Sequence, residues 1–224
     1  SNDLMNQLNS LRIFPESKLK FLPDPIIKTK DFLKKHLNKQ EKNFLISDRK
    51  FFIAAGRLTK QKNFGYLINE FSEFTKNNFT HNLIIFGEGE EKEKLIAEIK
   101  KHGLEDRIFL PGYTDNIYYY MKKADAYVLS SIWEDPGFVL IEAAMCNLFI
   151  ISSNCKNGPT EFLYNGAAGI LYESNKKGAL KSSLDKFLII DKQKKKMILE
   201  AKKRCLQYTL LRHNNIFKDI IISN

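Results

Sequence analysis

Cysteine is scarce in this sequence, and long apolar runs are missing. The 224 residues contain three cysteines without a CxxC pair, and the four histidines show no ligand spacing with them. These patterns argue against a disulfide framework and against a zinc site, and they favour a reducing, cytoplasmic location. No apolar run approaches the ~20 residues of a membrane-spanning helix. Internal repeats and low-complexity segments are also missing, so the sequence is typical of an ordinary folded domain.

Positive charge is in excess, with 36 Lys and Arg against 26 Asp and Glu and a formal net charge of +10. Such a balance favours anionic partners, among them nucleotides, nucleic acid and phospholipid headgroups. Many of the lysines fall in helical stretches such as DKQKKKMILEAKKR, which is equally typical of a solvated surface. The lysines are not interleaved with aromatics in a recognition motif, so we expect no nucleic-acid partner. An anionic surface at the inner face of a membrane stays open as a partner.

Short apolar runs alternate with amphipathic stretches from residue 51 onward. Helical spacing, as in NFGYLINEFSEFTKNN, predicts a helix between successive runs. Strands and helices thus alternate strictly, and the strands are too apolar to have a solvent-exposed face. This pattern predicts an α/β fold, a Rossmann-like doubly wound parallel sheet of about six strands. The predicted strands are FFIAAG, HNLIIFG, DRIFLPG, DAYVLS, LFIISS and AAGILYE.

The chain divides into three parts on this pattern. Residues 1–45 are predicted to be a connector and the start of the domain, with FLPDPIIK extended by its two prolines and TKDFLKKHLNKQ a short helix. Residues 46–190 are predicted to form the Rossmann-like domain. Residues 191–224 are predicted to be C-terminal helices.

Ligands of parallel sheets bind beyond the carboxyl ends of the strands, so the residues after each strand are the site candidates. After the first strand, Gly56 permits a sharp turn, and Arg57 and Lys62 follow before a helix. A guanidinium and an ammonium at such a place suit a diphosphate. The alternative is a pair of solvated surface cations.

The second and third strands end in weaker signals. Gly87 and Gly89 indicate either a phosphate cradle or, as we favour, a helix-entry loop. Gly112 and Tyr113 lie where a nucleobase could stack or bond to the backbone, although a simple turn explains them too. Asp115 is the candidate N-cap of the next helix.

The fourth strand is followed by SSIWEDPGFVLIEAAMC, in which two glutamates lie eight residues apart. The free N–H groups of the helix that begins near Gly137 and Phe138 form an anion site. A carboxylate on an apolar helix is costly unless it binds something, and carboxylates accept hydrogen bonds from vicinal hydroxyls. Glu134 and Glu142 therefore suit the two sugars of a nucleotide-sugar. The alternatives are an exposed loop acid at Glu134 and a partner of a buried cation at Glu142. After the fifth strand, Glu161 adds an acid that we expect at the same rim.

Five of these segments, taken in order across residues 51–175, resemble the nucleotide-sugar-binding domain of the GT-B glycosyltransferases, specifically the retaining family GT4. The segments are GRLTKQKN, FGEGEE, LPGYTDN, EDPGFVLIE with its Glu-x7-Glu spacing, and NGPTEFLYNGAAGIL. Asp135 and Pro136 depart from the family pattern, which has Gly and then an aromatic residue or Leu after the first glutamate. The departure leaves the sugar unassigned.

The resemblance implies a role for each matched residue. Arg57 and Lys62 would bind the donor diphosphate and stabilise the leaving nucleotide diphosphate. Glu134 would hold hydroxyls of the transferred sugar, and Glu142 the ribose. No metal or other cofactor is expected, because the two cations and the helix dipole supply the charge. The implied catalytic residues are Glu134, Arg57 and Lys62, and the implied donor-binding residues are Gly56, Arg57, Lys62, Gly112, Tyr113, Glu134, Gly137, Phe138, Val139 and Glu142.

A GT-B enzyme has two such domains, and the sequence shows only one alternating array. We therefore expect the chain to be the C-terminal half, which lacks an N-terminal acceptor domain, binds donor and transfers poorly to a glycan or lipid-linked acceptor. We expect Phe217, Ile220 and Ile221 to be partly orphaned, or packed ordinarily on this domain. Three other interpretations stay open at this point: a nucleotide-sugar epimerase, a phosphorylase of similar plan, and a non-catalytic nucleotide-binding module.

Overall fold

The computed structural model of the protein describes residues 2–12, 15, 19–27, 49–134 and 136–222. Within these residues, six strands form one sheet in the order β3-β2-β1-β4-β5-β6, and all neighbouring pairs are parallel. The strands are β1 (Lys50–Ala55), β2 (His81–Phe86), β3 (Ile108–Gly112), β4 (Ala126–Leu129), β5 (Phe149–Ser153) and β6 (Ile170–Tyr172).

Helices connect successive strands and continue beyond the last one. They are α1 (Asn2–Ser10), α2 (Phe64–Thr75), α3 (Lys92–Lys101), α4 (Ile117–Met121), α5 (Phe138–Met145), α6 (Pro159–Phe162), α7 (Ala179–Ile189), α8 (Asp191–Cys205) and α9 (Leu210–Ile222). Short 3-10 turns lie at Lys60–Lys62, Tyr164–Gly166 and Leu206–Tyr208.

The sheet has an apolar layer on each face, because successive strand side chains point to opposite sides. Along β1, Phe52 and Ala54 belong to the cluster packed by α2, α3 and α7. Phe51 and Ile53 belong to the cluster packed by α4, α5, α6 and α8. Helices therefore cover both faces, which confirms the predicted doubly wound sheet of six strands.

The amino-terminal prediction is tested only in part. FLPDPIIK has no regular secondary structure from residue 21 to 27, as its prolines indicate. The predicted helix TKDFLKKHLNKQ lies outside the described residues, as does Asp135. The structure adds α1, which the sequence analysis did not assign.

The C-terminal helices differ in how they pack. Helix α8 buries Ala201 and Cys205 in the second core layer. Helix α9 has no buried residue. Phe217 and Ile221 are 48% and 58% exposed, as expected for orphaned apolar side chains, whereas Ile220 is partly buried. Among the described residues, no helix combines the length and the apolarity that crossing a membrane requires.

The order of the strands fixes where a ligand can bind. The chain runs outward from β1 to β3 and then returns to place β4 against the other side of β1. The loops after β1 and β4 therefore diverge and leave a crevice at their carboxyl ends. Such a switch point is the usual ligand position in open parallel sheets.

Candidate functional site

A cavity of about 800 Å³ opens at this switch point. It is lined by residues that follow four of the strands, together with the start of α5. Nine of the ten predicted donor-binding residues line it, and they are Gly56, Arg57, Lys62, Tyr113, Glu134, Gly137, Phe138, Val139 and Glu142. The fold thus collects in one place the side chains that the resemblance implied.

The loop after β1 forms one wall and is fixed by backbone contacts. Gly56 N–H donates to Phe86 O at 3.0 Å. A Cβ on Gly87 would stand 1.9 Å from Gly56 O, so a residue without a side chain is required for the two loops to meet. Tyr127 is fully buried beneath this wall, and its hydroxyl donates to Ala55 O at 2.9 Å. Gly87 and Gly89 precede α3, as expected of the helix-entry loop that we favoured, and Gly87 also lines the cavity, so the cradle alternative stays open.

Lys62 and Glu134 form a largely buried ion pair inside the cavity. Lys62 Nζ donates to Glu134 Oε1 at 2.6 Å, and the two side chains are 15% and 5% exposed. Gly56 makes room for the lysine, since a Cβ there would lie 3.1 Å from its Cε. The solvated-cation alternative for Lys62 and the exposed-acid alternative for Glu134 are therefore wrong. Arg57 is exposed at the rim, as the solvated-cation alternative predicted. It nevertheless lines the cavity.

The loop that carries Glu134 is held from both sides. Ser131 Oγ donates to Glu134 Oε1, the oxygen that Lys62 also contacts. Glu134 N–H donates to Lys156 O at 3.1 Å, which ties the loop to the chain after β5. Gln61 Nε2 donates to Trp133 O at 3.0 Å, which ties it to the chain after β1. Three strand ends thus position one carboxylate.

Glu142 lines the same cavity from helix α5. Tyr118 on α4 donates its hydroxyl to Glu142 Oε1 at 2.9 Å. Burial raises the pKa of Glu142 above its ordinary value, and this hydrogen bond partly offsets the shift. Its partner is therefore a tyrosine, and the buried-cation alternative is wrong. No sequence signal marked Tyr118 as a site residue.

The start of α5 lies between the two glutamates in sequence and contributes backbone donors. Gly137 is the N-cap with φ of 82°, a left-handed conformation that side-chain-bearing residues rarely adopt. Phe138 and Val139 line the cavity in the first turn, where N–H groups lack an intrahelical acceptor. An anion at this helix start is favoured by those donors and by the helix dipole.

The third strand end departs from expectation. Gly112 does not line the cavity. Its φ of 88° is a conformation that side-chain-bearing residues rarely adopt, and its carbonyl accepts a hydrogen bond from Gly87 N–H at 2.9 Å. Tyr113 lines the cavity, is 74% exposed and donates to Asp115 at 2.8 Å. The predicted N-cap role of Asp115 is wrong, because Asn116 is the N-cap of α4.

Glu161 does not share the rim of this cavity, which corrects our expectation. It lines a second cavity of about 290 Å³ beside α1, with Pro136 and Tyr208. In the described part of the chain, no three His, Cys, Asp or Glu residues are grouped as metal ligands. Metal-independent donor binding stays a prediction.

The main cavity thus offers two kinds of recognition. Arg57, Lys62 and the first turn of α5 supply donors suited to phosphate oxygens. Glu134 and Glu142 supply acceptors suited to hydroxyls, and each is already oriented by a protein donor. Such a mixture suits a polar ligand that carries both phosphate and sugar.

Fold and cavity together define a doubly wound α/β domain with a ligand site at its switch point. The chain belongs to the family described as glycosyl transferases group 1, whose model matches residues 36–204. The part matched includes every predicted site residue.

Individual relatives agree with this assignment. An uncharacterized glycosyltransferase of Methanocaldococcus jannaschii is 37% identical over 150 residues, which are 66% of this chain and 37% of that protein. The N-acetylgalactosamine-N,N'-diacetylbacillosaminyl-diphospho-undecaprenol 4-alpha-N-acetylgalactosaminyltransferase of Campylobacter jejuni is 32% identical over 155 residues, 69% of this chain and 42% of that protein. The chain therefore spans about two fifths of the length of these relatives.

A solved structure shares the fold. HepE of Anabaena, in complex with UDP and glucose, superposes with a TM-score of 0.80 over 98% of this chain and 61% of that chain. Sequence identity is 16%, so the likeness concerns the fold.

Proposed function

We propose that the chain is the donor-binding, C-terminal half of a retaining GT-B glycosyltransferase of family GT4. It would take a hexose-type sugar from a nucleotide-diphosphate sugar and pass it to a glycan or lipid-linked acceptor. The observation that carries the proposal is the cavity that brings Arg57, Lys62, Glu134 and Glu142 together at the switch point. The diphospho-undecaprenol in the Campylobacter relative's name supports a lipid-linked acceptor, and the UDP and glucose bound by HepE support the donor class.

Each side chain has a role in this proposal. Glu142, held by Tyr118, accepts hydrogen bonds from the ribose hydroxyls. Arg57 and the first turn of α5 take the diphosphate. Glu134 binds hydroxyls of the transferred sugar. Lys62, beside Glu134, stabilises the negative charge that develops on the leaving diphosphate, which is the work that a metal ion does in other transferases.

Donor binding is tested by titrating the chain with UDP, GDP and ADP in a calorimeter. We expect one of the three to bind, and Arg57→Ala to weaken it about 10-fold to 100-fold, as for the loss of a charged hydrogen bond. Arg212→Ala, an exposed arginine on α9, is the matched control and should leave the affinity unchanged. Affinity that is insensitive to Arg57→Ala, or no binding to any of the three, would overturn the site assignment.

Transfer is a separate question, because the chain spans only part of its relatives' length. We expect it to bind donor but turn over poorly unless an acceptor domain is supplied. The exposed apolar side chains of α9, including Phe217 and Ile221, would pack against that domain. The non-catalytic alternative shares the cavity and predicts binding with no transfer even when the acceptor domain is present. A cytoplasmic location fits the buried free thiols of Cys146, Cys155 and Cys205.

A further inference from the structure

Almost all of the chain's net charge lies in its last quarter. Residues 1–175 contain 23 Lys and Arg against 22 Asp and Glu, which nearly cancel. Residues 176–224 contain 13 against four, so they carry nine of the ten excess positive charges. The first 175 residues are therefore close to neutral overall, and the basic character of the chain belongs to Lys176, Lys177 and the helices α7, α8 and α9.

Helix α8 sorts its residues sharply between two faces. Its inner face buries Ala201 and Cys205, and Cys205 Sγ donates to Ile141 O of α5 at 3.4 Å. Its outer face follows helical spacing and continues into the 3-10 turn after the helix. We call this outer face the basic face, and it consists of Lys192, Lys195, Lys196, Leu199, Lys203 and Leu206.

The lysines of α8 are used differently according to their face. Lys194, on the inner side, pairs with Asp191 at 2.8 Å and lies over the ring of Phe187. On the basic face, Lys203 pairs with Glu200. Lys192, Lys195 and Lys196 are exposed and make no salt bridge with any described residue. Three ammonium groups therefore project into solvent from one side of one helix.

Two leucines share the basic face with these lysines. Leu199 is 53% exposed and Leu206 is 67% exposed. A surface for a soluble polyanion needs the lysines but gains nothing from large apolar side chains between them. A surface that lies at a lipid headgroup layer uses both, because leucines enter the acyl boundary while lysines attract anionic headgroups.

We propose that the basic face of α8 docks the protein onto an anionic lipid bilayer. The charge complementarity and the interleaved leucines carry the inference together, and neither belongs to the donor cavity. The inference does not require the proposed transferase activity. Its test uses vesicles and no nucleotide. Membrane binding can therefore be disproved while donor binding is confirmed, and donor binding can be disproved while membrane binding is confirmed.

The test is co-sedimentation of the chain with vesicles of phosphatidylcholine, with and without phosphatidylglycerol. We expect binding only when phosphatidylglycerol is present. Replacing Lys192, Lys195 and Lys196 together by Gln should lower the partition coefficient about 100-fold, at about one kcal/mol for each lysine near the surface. A matched control replaces Lys94, Lys100 and Lys101 on α3 by Gln, which removes the same charge elsewhere and should have a much smaller effect.

The leucines separate a membrane from another polyanion. Leu199→Ser with Leu206→Ser should weaken vesicle binding and leave binding to a single-stranded RNA oligonucleotide unchanged. Equal losses in the α8 and α3 triple variants would overturn the proposal, since binding would then reflect net charge alone. Vesicle binding that is indifferent to the leucines, with tighter binding to RNA at the same salt concentration, would also overturn it and make the surface one for nucleic acid.

Discussion

The cavity and the basic face both depend on lysine, and they hold it in opposite ways. Lys62 is 15% exposed and bonded to one carboxylate, so its position is fixed. Lys192, Lys195 and Lys196 are exposed on α8 and unpaired among the described residues, so their positions are free to adapt. A buried pair can act on one group of one ligand, whereas exposed lysines act through their number. Substitution of Lys62 in the cavity should therefore have a large, specific effect on stability. Substitution of the lysines on the basic face should have small, salt-dependent effects on stability.

We expect the largest loss of stability from Lys62→Met in the cavity. Removing the ammonium leaves Glu134 buried without its cation, which we expect to cost about 3 to 5 kcal/mol of unfolding free energy. Urea denaturation measures the loss. A cost below about 1 kcal/mol would mean that water or a shift of the loop replaces the lysine. Lys62 would then contribute no more to stability than the exposed lysines of α8.

A compensating variant separates the stability role of the pair from its binding role. Lys62→Met combined with Glu134→Leu removes both charges, so most of the lost stability should return. Nucleotide-sugar binding should not return, because the sugar acceptor and the phosphate donor are both gone. If the double variant bound donor like the unchanged chain, neither residue would belong to the site.

The sequence predicted the sheet and the place of the cavity, because both depend on local pattern. Apolar runs between amphipathic stretches predict parallel strands, and ligands of such sheets bind at strand ends. The side-chain contacts inside the cavity could not be predicted from the sequence. Lys62 is 72 residues from Glu134, and Tyr118 is 24 residues from Glu142. Only the folded chain decides which donor meets which carboxylate.

The glycines and caps show the same limit at short range. Gly112 was assigned to the ligand, and the structure places it outside the cavity lining, in a backbone conformation with a φ of 88°. Asp115 was assigned to the helix start, and Asn116 is the N-cap there. Residue type restricted each assignment to a few adjacent residues. Which of these residues has the role depends on backbone geometry, which sequence spacing does not give.

A second, smaller effect is expected at the other glutamate of the cavity, from Tyr118→Phe. The change removes an O–H donor to a carboxylate, which should lower the unfolding free energy by about 1.5 to 3 kcal/mol at neutral pH, as measured by urea denaturation. Tyr119→Phe on the same helix is the control, since it removes a hydroxyl that does not contact Glu142. Equal effects of the two changes would show that the bond to Glu142 contributes nothing particular.

The pH dependence of this variant has a definite sign. Burial raises the pKa of Glu142, so the folded chain keeps its proton at pH values where the unfolded chain has lost it. The unfolding free energy therefore falls as pH rises from the ordinary carboxyl range through the folded pKa. Tyr118→Phe removes a bond that favours the ionised form and should steepen this fall. Its cost should be smaller near pH 3, which lies below both the ordinary carboxyl pKa and the raised pKa of Glu142, so that the carboxyl is neutral in both states.

The smallest effect on folding is expected where the charge is greatest. Replacing Lys192, Lys195 and Lys196 by Gln should change unfolding free energy by no more than about 0.5 kcal/mol per substitution, because no hydrogen bond or salt bridge with a described residue is lost. Relief of like-charge repulsion in a region with nine excess positive charges should even stabilise the chain at low salt. Added salt should erase that gain, since it screens exposed charges. Urea denaturation at two salt concentrations measures both changes, and a salt-independent loss comparable to that of Lys62→Met would show that these lysines are structural and that the basic face is not a free surface.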